Sequence, residues 1–290
     1  MRVLICGSSG LVGTALSEYL TTLGHTVVPL VRGLGGWNPA LGELDTHRVK
    51  GYDAVVHLGG VGIANKRWSE DYKQSIANSR INSTQLLSAR MAQTRDKPTV
   101  FVVASAVGIY GSRGSRLLTE EDEPGQGFLA DVAQQWEAAA DEARDAGIRV
   151  VHARLGMVLD RRGGALAKML LPFKLGLGGV IGSGEQYWSW IALADVGRAM
   201  AHAIESPDMV GPVNMVAPHA VTCYEFVKTL GRVLKRPTIL PTPAFAVRLA
   251  MGQMADELLL ASTRADPKAL RNAGFTFDRP QLEDALRATL

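Results

Sequence analysis

Residues 2–13 read Arg2-Val3-Leu4-Ile5-Cys6-Gly7-Ser8-Ser9-Gly10-Leu11-Val12-Gly13. A short apolar run enters three glycines spaced three apart. An amphipathic stretch follows over 11–23, with Leu16, Leu20 and Leu23 on one face. A strand that hands over to a helix through such a turn is the phosphate-binding start of a βαβ unit. Gly7 permits the tight turn, Gly10 lets the backbone approach a diphosphate, and Gly13 lets the helix pack closely on the sheet. The helix start presents free N–H groups to the anion. Gly7, Ser8, Ser9, Gly10, Leu11, Val12 and Gly13 are therefore expected to hold a dinucleotide. G-x-x-G-x-x-G alone is a weak pattern; its place between a strand and a helix gives it weight.

Outward from this turn, strand-like apolar runs recur at Val3–Cys6, Thr26–Val31, Ala54–Leu58, Thr99–Ala104 and Arg149–Leu155. Helical patterns over 11–23, 71–94 and 131–146 lie between them. Alternation of this kind, with continuously apolar strands, predicts an α/β fold: a Rossmann doubly wound parallel sheet covered on both faces. The order changes after about residue 160. Gly163–Gly184 is glycine-rich, two tryptophans and a helix over 194–204 follow, and helices dominate from Gly211 onward, at 223–234, 244–251 and two short C-terminal segments. The expected organisation is a dinucleotide-binding domain over 1–165, to which 189–215 returns. A small, mainly helical substrate lobe is expected from 166–188 and 216–290.

The 290 residues are 47% hydrophobic, enough for a sizeable core. A net charge of +3 with no basic run or stripe argues against a nucleic-acid partner. The two cysteines, Cys6 and Cys223, lack CxxC or Cys/His spacing, so neither a disulfide framework nor a metal site is expected. The N-terminus lacks a signal-peptide apolar region, and no window reaches the ~18 apolar residues of a membrane span. The chain reads as cytoplasmic, without a membrane partner. The two long helices of such sheets often pair, so a homodimer stays open.

The choice of coenzyme turns on the end of the second strand. A protein that prefers NAD(H) carries Asp or Glu there for the ribose hydroxyls. Here Val31 is followed by Arg32. A carboxylate repels a 2′-phosphate, whereas a guanidinium accommodates it, so NADP(H) is favoured over NAD(H). Leu58, Gly59 and Gly60, after the third strand, offer bare backbone to the adenosine half.

These residues, with Ser105–Gly111 (Ser-Ala-Val-Gly-Ile-Tyr-Gly), resemble the extended short-chain dehydrogenase/reductases, the nucleotide-sugar epimerase-like group. The likeness narrows to one atypical branch, the "epimerase family proteins", some of which carry the old label "cell division inhibitor". It rests on Ile63–Trp68, Ser79–Ile81, Trp136-Glu137, Arg154–Leu159, Gly163–Met169, Pro172-Phe173, Ser189–Ile191, Ala217-Pro218, Arg236-Pro237 and Gly274-Phe275. It runs over essentially the whole chain and implies NADP(H) binding and a small-molecule substrate of unassigned identity. One departure stands out: Ala192 lies where the branch has a His.

In the wider superfamily a Tyr is the general acid/base, a Lys four residues on lowers its pKa, and a Ser orients the substrate oxygen. Ser105, at the end of the fourth strand, fits the serine's place and counts among the cofactor-side residues. With Glu137 as the mark, the Tyr and Lys positions hold Leu129 and Ala133; sliding by one gives Phe128 and Val132. Tyr110 is then the nearest candidate proton donor, with water or the substrate as the others. Three readings stay open: an NADP(H)-dependent oxidoreductase on a small carbonyl or alcohol, a non-catalytic NADP(H)-binding redox sensor or interaction module, and a nucleotide-sugar epimerase or dehydratase. Other residues divide less sharply. Lys66, Arg67 and Trp68 suit an anionic ligand or a helix start. Trp188 and Trp190 with Gln186 suit a pocket wall or the core. Lys168, Lys174 and the acidic loop at 120–123 read as solvated, and His57 as a satisfied structural residue.

Overall fold

In the computed structural model, which describes residues 1–33 and 36–290, the strand before the glycine turn is the second of a six-stranded sheet. The strands are β1 (Arg2–Cys6), β2 (Thr26–Leu30), β3 (Ala54–His57), β4 (Val100–Ala106), β5 (Arg149–Leu155) and β6 (Gly211–Met215). They lie in the order β2-β1-β3-β4-β5-β6. β1 runs parallel to β2 and β3, and β3 parallel to β4. The chain therefore winds outward in both directions from β1, and the strand order reverses between β1 and β3. That switch point is where open α/β sheets bind ligands, beyond the carboxyl ends of the strands.

The residues explain the sheet. Val3–Ile5, Ala54–Val56 and Val100–Val103 are buried along their whole length, as strands covered on both faces must be. α1 (Leu11–Thr22) buries Leu16 and Leu20, and α2 (Glu70–Gln93) buries Ile76, Leu87 and Met91. β6 escapes the apolar-run signal because it opens on Gly211-Pro212 and carries the buried Asn214.

The chain divides into two compact units. The first comprises 1–105, 132–154 and 196–213; the second comprises 106–131, 155–195 and 214–290. Against the expected boundary at 165, the segments 106–131 and 155–165 group with the second unit, and the returning segment is 196–213. The second unit has its own core, in which Leu166, Phe173, Trp190, Phe226, Leu230 and Leu286 pack together.

Two helices depart from the sequence pattern. The segment 131–146 is two helices, α3 (Phe128–Ala138) and α4 (Asp141–Asp145). The ladder tightens where Ala140 N–H donates to Glu137 O, and Ser88 of α2 then takes the N–H of Ala143 at 2.7 Å. The glycine-rich stretch contains α5 (Gly164–Lys174), its glycines lying at the ends. α6 (Leu193–Glu205), α7 (Cys223–Leu234) and α8 (Ala244–Met251) lie close to expectation. Three short helices follow them, α9 (Gln253–Leu258), α10 (Lys268–Asn272) and α11 (Leu282–Thr289). No helix among the described residues is long and apolar enough to cross a membrane.

Candidate functional site

The turn after β1 is built so that side chains are excluded. Gly7 has φ +85°, and a Cβ there would lie 2.9 Å from the carbonyl carbon of Leu58. A Cβ on Gly13 would lie 2.1 Å from Gly7 O, inside any allowed contact. Gly10 N–H closes the turn on Gly7 O at 3.1 Å, and Thr14 Oγ1 ties the helix back to Ser8 O at 3.2 Å. Gly10 caps α1 without a side-chain acceptor, and the first turn carries no acidic residue. The N–H groups of Leu11, Val12 and Gly13 have no partner among the described residues. An uncapped helix start behind a loop closed to side chains fits a diphosphate.

The ends of β2 and β3 complete this edge of the first unit. Leu58 N–H bonds to Cys6 O, and Gly59 N–H reaches His57 Nδ1 at 3.4 Å. Because Nδ1 accepts, Nε2 carries the proton and donates to Ser83 Oγ at 2.7 Å. Burial pushes the His57 pKa down to about 3, and Arg32 and Arg80 push it the same way. The ring is a neutral prop for the Leu58–Gly60 backbone. Arg32 is exposed beyond β2, and its charge is felt at both His57 and Cys6. Burial drives the Cys6 thiol up to about 12 against the opposing pull of Arg32 and Trp37, so Cys6 is a core residue. Arg80 stacks 5.2 Å over the Trp136 ring and lies against Gly60. It was not singled out from the sequence as a functional residue, although Ser79–Ile81 marked its neighbourhood.

Ser105, at the end of β4, is tied into a buried ionic network. Its hydroxyl donates to Glu137 Oε1 at 2.6 Å. Arg154 grips the same carboxylate with Nε on Oε1 and a terminal nitrogen on Oε2, both at 2.9 Å. His152 is buried beside them, and its Nδ1 has no partner among the described residues. A hydroxyl has one proton, so while Ser105 donates to Glu137 it can only accept from a ligand. Glu137 enters the sequence reading only as a register mark and in the Trp136-Glu137 motif, and Arg154 only as the first residue of the Arg154–Leu159 motif.

Tyr110 departs from its expected role as proton donor. Its ring is fully buried in the second unit, and its hydroxyl donates to Asn214 Oδ1 at 2.7 Å. Asn214 Nδ2 in turn donates to Asp266 O. This phenol is framework. The same unit holds a cavity of about 100 Å³ lined by Gly108, Gly111, Gln126, Leu129, Asp256 and Glu257, among others. Leu129 is one of the two residues that the Glu137 mark puts in the register of the superfamily Tyr. Glu257 accepts the N–H groups of Phe128 and Leu129, at 3.1 and 2.7 Å, and so caps α3. Asp256 pairs with Arg248 at 2.8 Å.

Several other residues resolve. Trp188 and Trp190 are buried and donate to Leu259 O and His219 O, and Gln186 spans Ile181 O and Leu259 O; they are core. Lys168 and Lys174 are exposed, as are Lys66 and Arg67, while Trp68 donates to Ile63 O. The acidic loop is not wholly solvated: Glu120 is largely buried and accepts the N–H groups of Asn214 and Ala269. Burial raises its pKa. No cluster of His, Cys, Asp or Glu among the described residues could hold a metal. The structure thus gathers Gly7–Gly13, Leu58–Gly60 and Arg32 at one sheet edge, sets Ser105 on Glu137, and takes Tyr110 into the core of the second unit.

Comparison with known proteins agrees with this geometry. A family model described as the NAD dependent epimerase/dehydratase family matches residues 3–216, and a domain of unknown function (DUF1731) matches 242–289. Epimerase family protein Mb2239 of Mycobacterium bovis is 46% identical over 290 residues, covering 98% of this chain and 96% of its own. Human epimerase family protein SDR39U1 is 36% identical, covering 99% of both chains. A crystal structure of human SDR39U1 (isoform 2) with NADPH superposes with a TM-score of 0.91 at 34% identity, covering 100% of this chain and 99% of that one.

Proposed function

The chain belongs to the NAD dependent epimerase/dehydratase family, and from that premise we propose that it binds NADP(H) and acts as an oxidoreductase on a small carbonyl or alcohol. The observation that carries the reading is the edge at β1–β3. There an uncapped helix start behind side-chain-free glycines meets an exposed Arg32 where NAD(H) recognition would need a carboxylate. The NADPH in the human relative's crystal structure supports the same coenzyme.

A bound nicotinamide supplies hydride exchange; the residues of this chain bind and orient. The N–H groups of Leu11–Gly13 hold the diphosphate, Arg32 neutralises the 2′-phosphate, and the neutral His57 keeps the Leu58–Gly60 backbone in place for the adenosine half. Ser105, its proton committed to Glu137, accepts a hydrogen bond from a substrate hydroxyl, which favours alcohols as the bound form. Neither Leu129 and Ala133 nor Phe128 and Val132, the two dyad registers, offer a titrating group, and the Tyr110 hydroxyl is engaged by Asn214. Proton exchange therefore falls to water or the substrate, and epimerase or dehydratase chemistry, which needs efficient proton handling, is the less favoured reading.

The same two facts favour a second reading, an NADP(H)-binding module that does not turn over. NADPH oxidation against a carbonyl panel, with NADP⁺ reduction by the matching alcohols, separates the two. Turnover of at least one pair is the expected result. NADPH binding with no turnover on any pair would leave the module.

A further inference from the structure

Seven large apolar side chains on adjoining segments of the second unit are each between 52% and 81% exposed. Leu171, Leu175 and Leu177 come from the end of α5, Ile239 and Leu240 from the loop after α7, and Phe245 and Leu249 from α8. Backbone bonds join these segments: Thr242 N–H to Val180 O, Gly182 N–H to Thr242 O, and Arg236 Nε to Lys174 O. Large exposed apolar side chains gathered on adjoining segments mark a surface that something covers.

The segments that carry these side chains are themselves basic, with Glu185, Glu225 and Asp256 at their ends. Residues 161–184 contain Arg161, Arg162, Lys168 and Lys174 and no carboxylate. Residues 226–255 contain Lys228, Arg232, Lys235, Arg236 and Arg248, again with no carboxylate. Arg162, Arg232 and Arg248 are neutralised by Asp160, Glu283 and Asp256 from outside these stretches, and Lys228 is bound to Thr238. Lys174, Lys235 and Arg236 remain exposed beside the apolar residues. The two stretches are far apart in sequence, which is why no basic stripe is visible until the fold joins them.

Aliphatic and phenyl side chains rimmed by Lys and Arg match the boundary of an anionic bilayer, with the apolar groups at the acyl level and the cations at the headgroups. A second copy of the chain would bring the same basic rim against itself across a two-fold axis. Protein interfaces are depleted in Lys, which supplies two of the three exposed cations here. We propose that this face docks the protein peripherally on an anionic phospholipid surface. The expectation of no membrane partner rested on the lack of a spanning segment, which does not bear on surface attachment.

The test is co-sedimentation of the full chain with vesicles of phosphatidylcholine mixed with phosphatidylglycerol, against phosphatidylcholine alone, at low and high salt. Binding to the mixed vesicles at low salt and release at high salt are expected. The double variant Phe245→Ser/Leu249→Ser, and separately Lys174→Glu/Lys235→Asn, should each weaken partition by roughly tenfold or more. Asn is chosen because Lys235 has φ 54°, a conformation Asn tolerates. Unchanged circular dichroism and melting temperature would show that these exposed sites leave the fold intact. The proposal is overturned by absence of binding to mixed vesicles, by equal binding to phosphatidylcholine alone, or by partition indifferent to both variants. A dimer in sedimentation velocity that Phe245→Ser/Leu249→Ser dissolves would give the face to a second copy instead.

Discussion

His57 holds its place as an uncharged ring, with Nδ1 taking the Gly59 N–H and Nε2 bonded to Ser83. Its pKa lies near 3 in the folded chain, whereas an unfolded His titrates near 6.5. Between those values the unfolded chain binds a proton that the folded chain refuses. The stability that His57 contributes is complete above about pH 6.5 and is lost as pH falls toward 3, at about 1.4 kcal/mol per pH unit. His152, lowered by burial, acts in the same direction. Urea unfolding followed from about pH 7 to about pH 4 should show a shallower loss for His57→Asn than for the parent. Parallel curves would mean that another group carries the dependence.

At the scale of elements, the start of α3 shows how a helix can be fixed from far along the chain. Its first N–H groups are met by Glu257 of α9, a carboxylate at a helix N-terminus, where the dipole also favours negative charge. No Ser, Thr, Asp or Asn signals that start locally, so the sequence pattern begins the helix at Asp131 instead of Phe128. Glu257→Ala is expected to cost about 1–2 kcal/mol in chemical denaturation. Glu257→Gln, which keeps one acceptor oxygen, is expected to recover part of it. No loss in the alanine variant would remove the cap from the account of α3. Glu137 and Arg154 illustrate the opposite case: a buried pair in which either residue alone would leave an uncompensated charge.

Over the whole molecule, what was legible in the sequence was local and periodic. Five strands announce themselves as continuous apolar runs, and the 7–13 turn is readable because the strand, the glycines and the helix that give it meaning are adjacent. β6 was not, since Gly211-Pro212 and Asn214 break the pattern that packing then overrides. The Ser105–Glu137–Arg154 network joins three separate elements, so spacing carries no trace of it. Tyr110 lies five residues from Ser105 in sequence, yet closeness along the chain says nothing about burial, and the phenol goes into the core. The central claim, coenzyme held at the β1–β3 edge with Arg32 selecting the 2′-phosphate, is tested most directly by titration calorimetry of the purified chain with NADPH and with NADH. One NADPH site is expected, with NADH weaker by roughly tenfold or more, the worth of one charge-assisted contact. No heat with either coenzyme, or NADH bound as tightly as NADPH, would contradict it.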